Sequence, residues 1–240
     1  VVGEIVRSLL VATVIWPFAL WRPRLRFSMP VARQLIAYGR HIVGAGIAIF
    51  FFTNADNAAI GRWLGTEQLG FYVLAFTLGA MPLTQIAYSI NRVLFPSFTF
   101  LQHSREPLAE AYGKALAGVG TLAAPLTLAT ALLGPAFLRL LYGDKWEGSV
   151  TALQILAFYG FFRAGGGSAG EILKSMGKPR QLALVTYVQL LLVLVCLYPA
   201  VVIGGIAGVA ILFTGATLAG VLLATFLACR ACDAPLLRIF

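Results

Sequence analysis

The sequence contains one stretch of 49 residues, from Gln181 to Cys229, without a single charged side chain. A helix needs about 20 apolar residues to cross the hydrocarbon layer of a bilayer, so this stretch is too long for one crossing. Pro199 and the adjacent Gly204 and Gly205 lie near its middle and disfavour a continuous helix there. The stretch therefore predicts two membrane-spanning helices joined by a tight turn.

The composition of the whole chain supports the same fold class. The 240 residues are 60% hydrophobic and only 11% charged, whereas a soluble domain carries about 25% charged residues. The formal charge of +9 does not indicate nucleic acid, because the basic residues punctuate hydrophobic runs instead of clustering on a polar domain. The chain opens without an initiator Met, and we expect it to be part of a longer protein.

Segments between the charged residues predict an all-α, polytopic transmembrane helix bundle with about seven spans. These spans cover residues 5–20, 38–60, 69–92, 115–141, 149–171, 181–203 and 206–229. Pro82 predicts a kink in the third span. Residues 101–112 predict a separate short helix along the inner membrane surface, with Ser104 as its N-cap and with Leu108 and Tyr112 on its apolar face.

The basic residues are unequally divided between alternate loops. One set of loops carries most of them, namely Arg22, Arg24, Arg26, Arg33, Arg92, Arg105, Lys114, Lys174, Lys178, Arg180, Arg230 and Arg238. The opposite loops carry little beyond Arg62, Arg139 and Lys145. By the positive-inside rule the first set is cytoplasmic, which places the short turns at 61–68, 142–148 and 204–205 outside.

Asp56 is a candidate for binding a coupling cation. It lies late in the second predicted span, where Thr53, Asp56 and Asn57 share one helical face. An ionisable residue inside a bilayer is expensive, and such residues commonly line water-filled paths. The alternative is a solvated aspartate at the outer end of the span, paired with Arg62.

Arg163 is the candidate for binding an anion. It lies about 14 residues, or roughly 21 Å, beyond the outer start of the fifth span. Two interpretations stand: the guanidinium faces the bundle interior and attracts a group such as phosphate, or it extends to the cytoplasmic headgroups. The small residues 164–170 that follow permit close helix contact or a hinge.

The third span carries a polar stripe that includes Thr84, Tyr88 and Asn91. Hydrogen bonding between helices and lining of a cavity both account for such a stripe. The sequence shows no nucleophile–base–acid set, nucleotide-binding loop or zinc-ligand spacing, so we expect neither an enzyme nor a cofactor or metal. Transport by such a chain has to be driven by an ion gradient or a potential.

Four short segments, taken in order, resemble one family. They are the "D, then IGR and LG, then LGxY" pattern in residues 54–72, the "RVLFPxF…LQ" junction in residues 91–102, the "LYGxKW" turn in residues 140–146 and the inner turn at 177–180. This set resembles the bacterial polysaccharide exporters and lipid-linked oligosaccharide flippases of the multidrug/oligosaccharidyl-lipid/polysaccharide exporter superfamily. The nearest resemblance is to the colanic-acid exporter type.

The resemblance implies a transporter of two six-helix lobes around a central cavity. On that scheme residues 1–20 are the last helix of the first lobe, 21–37 a basic cytoplasmic linker, 38–229 the second lobe and 230–240 a cytoplasmic tail. The protein is then expected in the bacterial inner membrane, together with polysaccharide assembly machinery.

The resemblance also implies a mechanism and assigns roles to residues. A polyprenyl-pyrophosphate-linked oligosaccharide enters from the inner leaflet, and rocking of the lobes, coupled to H⁺ or Na⁺, presents it outside. Arg163 and Arg92 are the candidates for holding the pyrophosphate. Asp56 and Asn57 are the cation-coupling candidates, and the expected cavity-lining residues are Thr53, Thr84, Tyr88 and Asn91.

Three rival functions remain, and one of them, a non-transporting assembly scaffold, is open because buried polar stripes also serve helix packing. A drug or small-molecule antiporter of the same superfamily is expected to carry more buried acidic residues. An integral-membrane glycan polymerase or ligase typically needs a large outer loop, and the predicted outer turns are short.

Overall fold

The computed structural model describes residues 28–101 and 104–232, together with Gly3, residues 6–11 and Thr13. All regular structure in these residues is helical, which confirms the predicted all-α fold. The chain divides into two compact units, Val1–Val43 and Gly44–Phe240. Of the predicted span 5–20, residues 6–11 and Thr13 are described and are helical. Residues 14–27 and 233–240, which include the end of that predicted span, part of the predicted linker and most of the predicted tail, lie outside the described residues.

The described helices run almost without interruption. They are α1 (Met29–Trp63), α2 (Thr66–Gly79), α3 (Met81–Leu101), α4 (Arg105–Tyr142), a 3-10 helix (Asp144–Ser149), α5 (Val150–Ser175) and α6 (Pro179–Cys232). By length and composition, the segments Glu106–Tyr142 and Arg180–Arg230 can each cross a membrane. The α2–α3 pair adds a third crossing if it is counted as one broken span. The chain is therefore a helical membrane protein.

Helix α1 begins earlier than the sequence predicts. The predicted span starts at residue 38, whereas the helix starts at Met29. Pro30 is compatible with the first helical turn, where its missing N–H is not needed. Nothing between it and residue 38 interrupts a helix, so residues 29–37 of the predicted linker are helical.

The predicted third span, 69–92, is two helices that meet near Ala80 with a bend of 45°. Ala80 ends α2 by donating its N–H to the carbonyl of Phe76. Pro82 lies in the first turn of α3 and has no backbone N–H, so it cannot continue the backbone hydrogen bonds of α2. The kink expected at Pro82 is therefore present, and it is sharp enough to divide the span.

The predicted surface helix at 101–112 is not a separate element. Leu101 ends α3, and the part from Arg105 onward forms the first turns of α4, which runs for 38 residues to Tyr142. Leu108 and Tyr112 are almost completely buried, at 0% and 1% exposure, against Phe98 and Ile172. The apolar face was predicted correctly, but it packs on neighbouring helices instead of on the membrane surface. That packing keeps the segment in line with the rest of α4.

Helix α6 is folded into the predicted hairpin at Gly205. This glycine has φ +55° and ψ −143°, a conformation that is open almost only to glycine. The Gln189 amide donates to the carbonyl of Ala216 at 3.3 Å, and the carbonyl of Ala200 lies against Gly208. Because both pairs are centred near residue 204, the two arms, α6a (179–204) and α6b (206–232), run antiparallel.

The three turns predicted to lie outside gather at one end of the second unit. The Trp63 ring packs edge-on against Tyr198 near the hairpin tip, with ring centroids 5.7 Å apart. Phe71 packs in the same way against Trp146, also at 5.7 Å. A second buried cluster, which includes Phe98, marks the opposite end.

We expect this turn-rich end to lie outside the cell, because Lys174, Lys178 and Arg180 lie at the opposite end, in the turn between α5 and α6 and in the helix ends beside it. Single cysteines placed at positions 144 and 204 of the full-length protein, after removal of its native cysteines, should react with a membrane-impermeant thiol reagent in intact cells. A cysteine at position 178 should react only after the cells are opened. Labelling at 178 in intact cells would reverse the orientation.

Candidate functional site

Asp56 is a buried carboxylate held by two hydrogen bonds. Its side chain is only 5% exposed. One oxygen accepts the Tyr72 hydroxyl of α2 at 3.0 Å, and the other accepts the backbone N–H of Asn57 at 2.8 Å. Arg62, six residues on, lies about 120° around the helix. The interpretation of Asp56 as a solvated aspartate paired with Arg62 is therefore wrong.

The Asp56 carboxylate borders an open groove of about 420 Å³, named here the Asp56 groove. Helices α1, α2, α3, α5 and α6b form its walls. Four other residues that the sequence singled out also line it, namely Thr53, Thr84, Tyr88 and Arg163. Aromatic side chains close the remaining wall, contributed by Phe52, Phe76, Tyr159 and Phe213.

A second open groove of about 310 Å³, the Asn91 groove, lies between α3, α5 and both arms of α6. Its polar lining includes Asn91, Glu171, Lys174, Thr186, Gln189 and Thr217. Lys174 donates a hydrogen bond to Glu171 at 2.8 Å, so these two opposite charges neutralise each other.

Arg163 borders both grooves. Its guanidinium carbon lies 6.0 Å from the centre of the Tyr159 ring, one helical turn earlier on α5. The side chain is exposed to open space, yet it lies well inside a helix of 26 residues. A permanent positive charge is thus presented at the junction of two polar grooves.

Two of the predicted site residues line neither groove. Arg92 is exposed, and its guanidinium carbon lies 4.8 Å from the centre of the Tyr88 ring. The helical step of about 100° from Asn91 directs it elsewhere. Asn57 is half-buried beside Asp56 and contributes its backbone N–H to the carboxylate.

Sequence reasoning missed Tyr72, Tyr159, Gln189 and Thr217. Tyr72 lies 16 residues after Asp56, beyond a turn and in another helix, and no local pattern pairs them. Gln189 and Thr217 were detectable in principle, because each is a polar residue inside the uncharged stretch at 181–229. Their position on facing arms of a hairpin was the missing information.

The helical bundle, with two open grooves that are bordered by both polar and apolar side chains, defines a helical membrane protein. Residues 1–151 match the family described as polysaccharide biosynthesis protein. The chain belongs to this family, and the resemblance noted in its sequence segments is confirmed at that level.

Individual relatives carry compatible names. The chain is 30% identical over 161 residues to the lipopolysaccharide biosynthesis protein WzxC of Escherichia coli (strain K12), an alignment covering 67% of this chain and 32% of the relative. It is 30% identical over 158 residues to the amylovoran biosynthesis protein AmsL of Erwinia amylovora, covering 66% and 41%. It is 26% identical over 137 residues to the succinoglycan biosynthesis transport protein ExoT of Rhizobium meliloti (strain 1021), covering 57% and 28%.

The chain thus spans well under half the length of these relatives. No solved structure matches it.

Proposed function

We propose that this chain is one lobe of a transporter that moves a lipid-linked polysaccharide precursor across the bacterial inner membrane. The family supports a role in polysaccharide biosynthesis, and one relative is named as a transport protein. The observation that carries the proposal is the position of Arg163 at the junction of two polar grooves. A charged side chain inside a membrane-spanning helix is costly, so the exposure of Arg163 to a groove favours a role in binding a ligand.

The ligand proposed for Arg163 is the pyrophosphate that links an oligosaccharide to a polyprenyl chain. A guanidinium offers a planar fork of donors that can bind two phosphate oxygens through parallel hydrogen bonds. The Tyr159 ring beside it supports the cation without neutralising it. Arg92 remains a secondary candidate, since it is exposed but lies outside both grooves.

Asp56 is proposed to couple transport to a cation gradient. Its carboxylate borders the same groove as Arg163 and has a hydroxyl partner in Tyr72. Gain or loss of a cation at Asp56 changes the charge of that groove and thereby its attraction for an anion. Rocking of this lobe against a second one then opens the path alternately to the two sides.

Export without catalysis is the activity expected of the full-length protein. We expect its expression to restore surface polysaccharide in a bacterium that lacks its own exporter but makes the lipid-linked precursor. Surface glycan is measured by staining of intact cells, and an empty vector is the control. Accumulated precursor that stays on the inner leaflet, despite normal amounts of membrane-inserted protein, would contradict the proposal.

The rival functions predict different outcomes of the same experiment. A drug antiporter would leave surface glycan unchanged and would lower the accumulation of cationic compounds. A polymerase or ligase would change the length or attachment of glycan that another protein exports. The described turn between α1 and α2 and the 3-10 helix are both short, and this favours export over either enzyme class.

A further inference from the structure

The Asn91 groove contains two buried polar atoms that have no hydrogen-bond partner among the described residues. These atoms are the hydroxyl oxygen of Thr217 and the amide oxygen of Asn91. Thr217 is 2% exposed and contributes to the groove lining. An unpaired buried polar atom costs about 1–3 kcal/mol, so two of them in one groove indicate that a polar ligand completes the site.

Glycines on the facing helices make room for the amide side chains of this groove. A methyl group at Gly167 would lie 2.1 Å from the Asn91 amide nitrogen, and one at Gly220 would lie 1.9 Å from that of Gln189. Both distances are shorter than real atoms allow, so a larger residue at either position would displace the amide from its place in the groove. The two glycines therefore let the amides lie directly against the facing helices.

Charge is unevenly distributed in this groove, so its different parts suit different chemical groups of a ligand. Arg163 provides an unpaired cation where the groove meets the Asp56 groove. Elsewhere the polar groups of the lining are amides and hydroxyls, set among glycines and aliphatic side chains, and the Glu171–Lys174 pair carries no net charge. A phosphate is therefore attracted to Arg163, whereas the rest of the groove suits a neutral group that both donates and accepts hydrogen bonds.

We infer that the Asn91 groove binds the sugar nearest the pyrophosphate, with Thr217 and Asn91 as hydrogen-bond partners of its hydroxyl groups. The inference rests on the proposed function, because it places the phosphate of the same molecule at Arg163. The volume of about 310 Å³ lies at the lower end of the range for small-ligand pockets. That size suits a short carbohydrate segment, and the remainder of a longer glycan would extend out of the open groove.

The test compares binding of two kinds of probe to the purified full-length protein. The first is a short prenyl pyrophosphate without a sugar. The second kind is the same prenyl pyrophosphate carrying glucose, galactose or N-acetylglucosamine. We expect at least one sugar-bearing probe to bind more tightly than the sugar-free one. Thr217→Val should lower the affinity for that sugar-bearing probe about fivefold, which is the contribution of one hydrogen bond. It should leave binding of the sugar-free probe unchanged.

Matched variants separate this effect from a general loss of packing. Thr217→Ser keeps the hydroxyl and should bind like the parent. Thr127→Val is the control, because Thr127 is 3% exposed and its hydroxyl is already paired with the carbonyl of Ala123 at 2.7 Å. If Thr217→Val does not fold, Asn91→Leu takes its place in the test, because it removes the other unpaired polar atom of the groove.

Each outcome decides between the two proposals. Equal binding of all probes, or equal losses on both probe types in Thr217→Val, would overturn the sugar site and would mean that water fills the groove. Unchanged binding of the sugar-free probe in Arg163→Ala would overturn the anion site. The two failures can be told apart. The sugar site is tested by the difference in affinity between probes with and without a sugar, whereas the anion site is tested by binding of the prenyl pyrophosphate that all probes contain.

Discussion

Replacement of Arg163 by alanine should weaken binding of a prenyl pyrophosphate to the full-length protein about thirtyfold. Hydrogen bonds to a charged group contribute on the order of 2 kcal/mol, which corresponds to that factor in the dissociation constant. Arg163→Lys should retain part of the affinity, because lysine keeps the charge but loses the planar fork. Binding is measured by titration of detergent-purified protein with the labelled ligand.

Arg139→Ala is the appropriate control for this experiment. Arg139 lies on α4, is exposed and pairs with Glu147 in the 3-10 helix, away from both grooves. Its loss removes only a surface ion pair, which contributes about 0–1 kcal/mol to stability. If Arg163→Ala binds as tightly as Arg139→Ala, at equal amounts of folded protein, the anion is held elsewhere.

The salt dependence of binding provides a second measure of the same contact. An interaction dominated by charge weakens as salt screens it, although a partly buried pair is screened less than an exposed one. The parent protein should therefore lose affinity with added salt more steeply than Arg163→Ala. Parallel salt curves for the two proteins would show that the guanidinium does not meet the phosphate.

Much of this bundle was predictable because its strongest signals are local. The hairpin in α6 follows from an uncharged stretch too long for one span, and the bend falls at Gly205, whereas Pro199 stays within the helical arm. The break before α3 follows in the same way from Pro82. Helix periodicity likewise places Thr53 and Asp56 on one face, and both line the Asp56 groove.

The failures arise where tertiary contacts decide. Residues 101–112 have the pattern of a surface helix, whereas the burial of Leu108 and Tyr112 against other helices makes the part from Arg105 onward the start of α4. The Tyr72 hydroxyl meets Asp56 because α2 folds back beside α1. A helical step moves Arg92 away from the groove that Asn91 lines, although the two are adjacent in sequence.

Asp56→Asn should abolish most of the gradient-driven transport by the full-length protein while leaving its fold intact. Asparagine has the same shape, and its amide oxygen can still accept the Asn57 N–H while its amide N–H donates to the Tyr72 hydroxyl oxygen, so the packing around position 56 should survive. What is lost is the negative charge and the ability to bind and release a cation.

The measurement for Asp56→Asn uses proteoliposomes with an imposed H⁺ gradient or an imposed Na⁺ gradient. A coupling free energy of usual size predicts about a tenfold fall in the ratio of driven to undriven transport. Tyr72→Phe should reduce this ratio less, because the carboxylate remains and keeps the Asn57 N–H as a partner. Asp144→Asn, an exposed acid in the 3-10 helix, should behave like the parent.

The pattern across these variants identifies what Asp56 does. A loss confined to the H⁺ gradient assigns a proton to the carboxylate, and a loss confined to the Na⁺ gradient assigns a sodium ion. Driven transport that is normal in Asp56→Asn, at equal amounts of folded protein, would remove Asp56 from coupling. The buried carboxylate would then serve to hold α1 against α2 through Tyr72, and the coupling cation would bind at another residue.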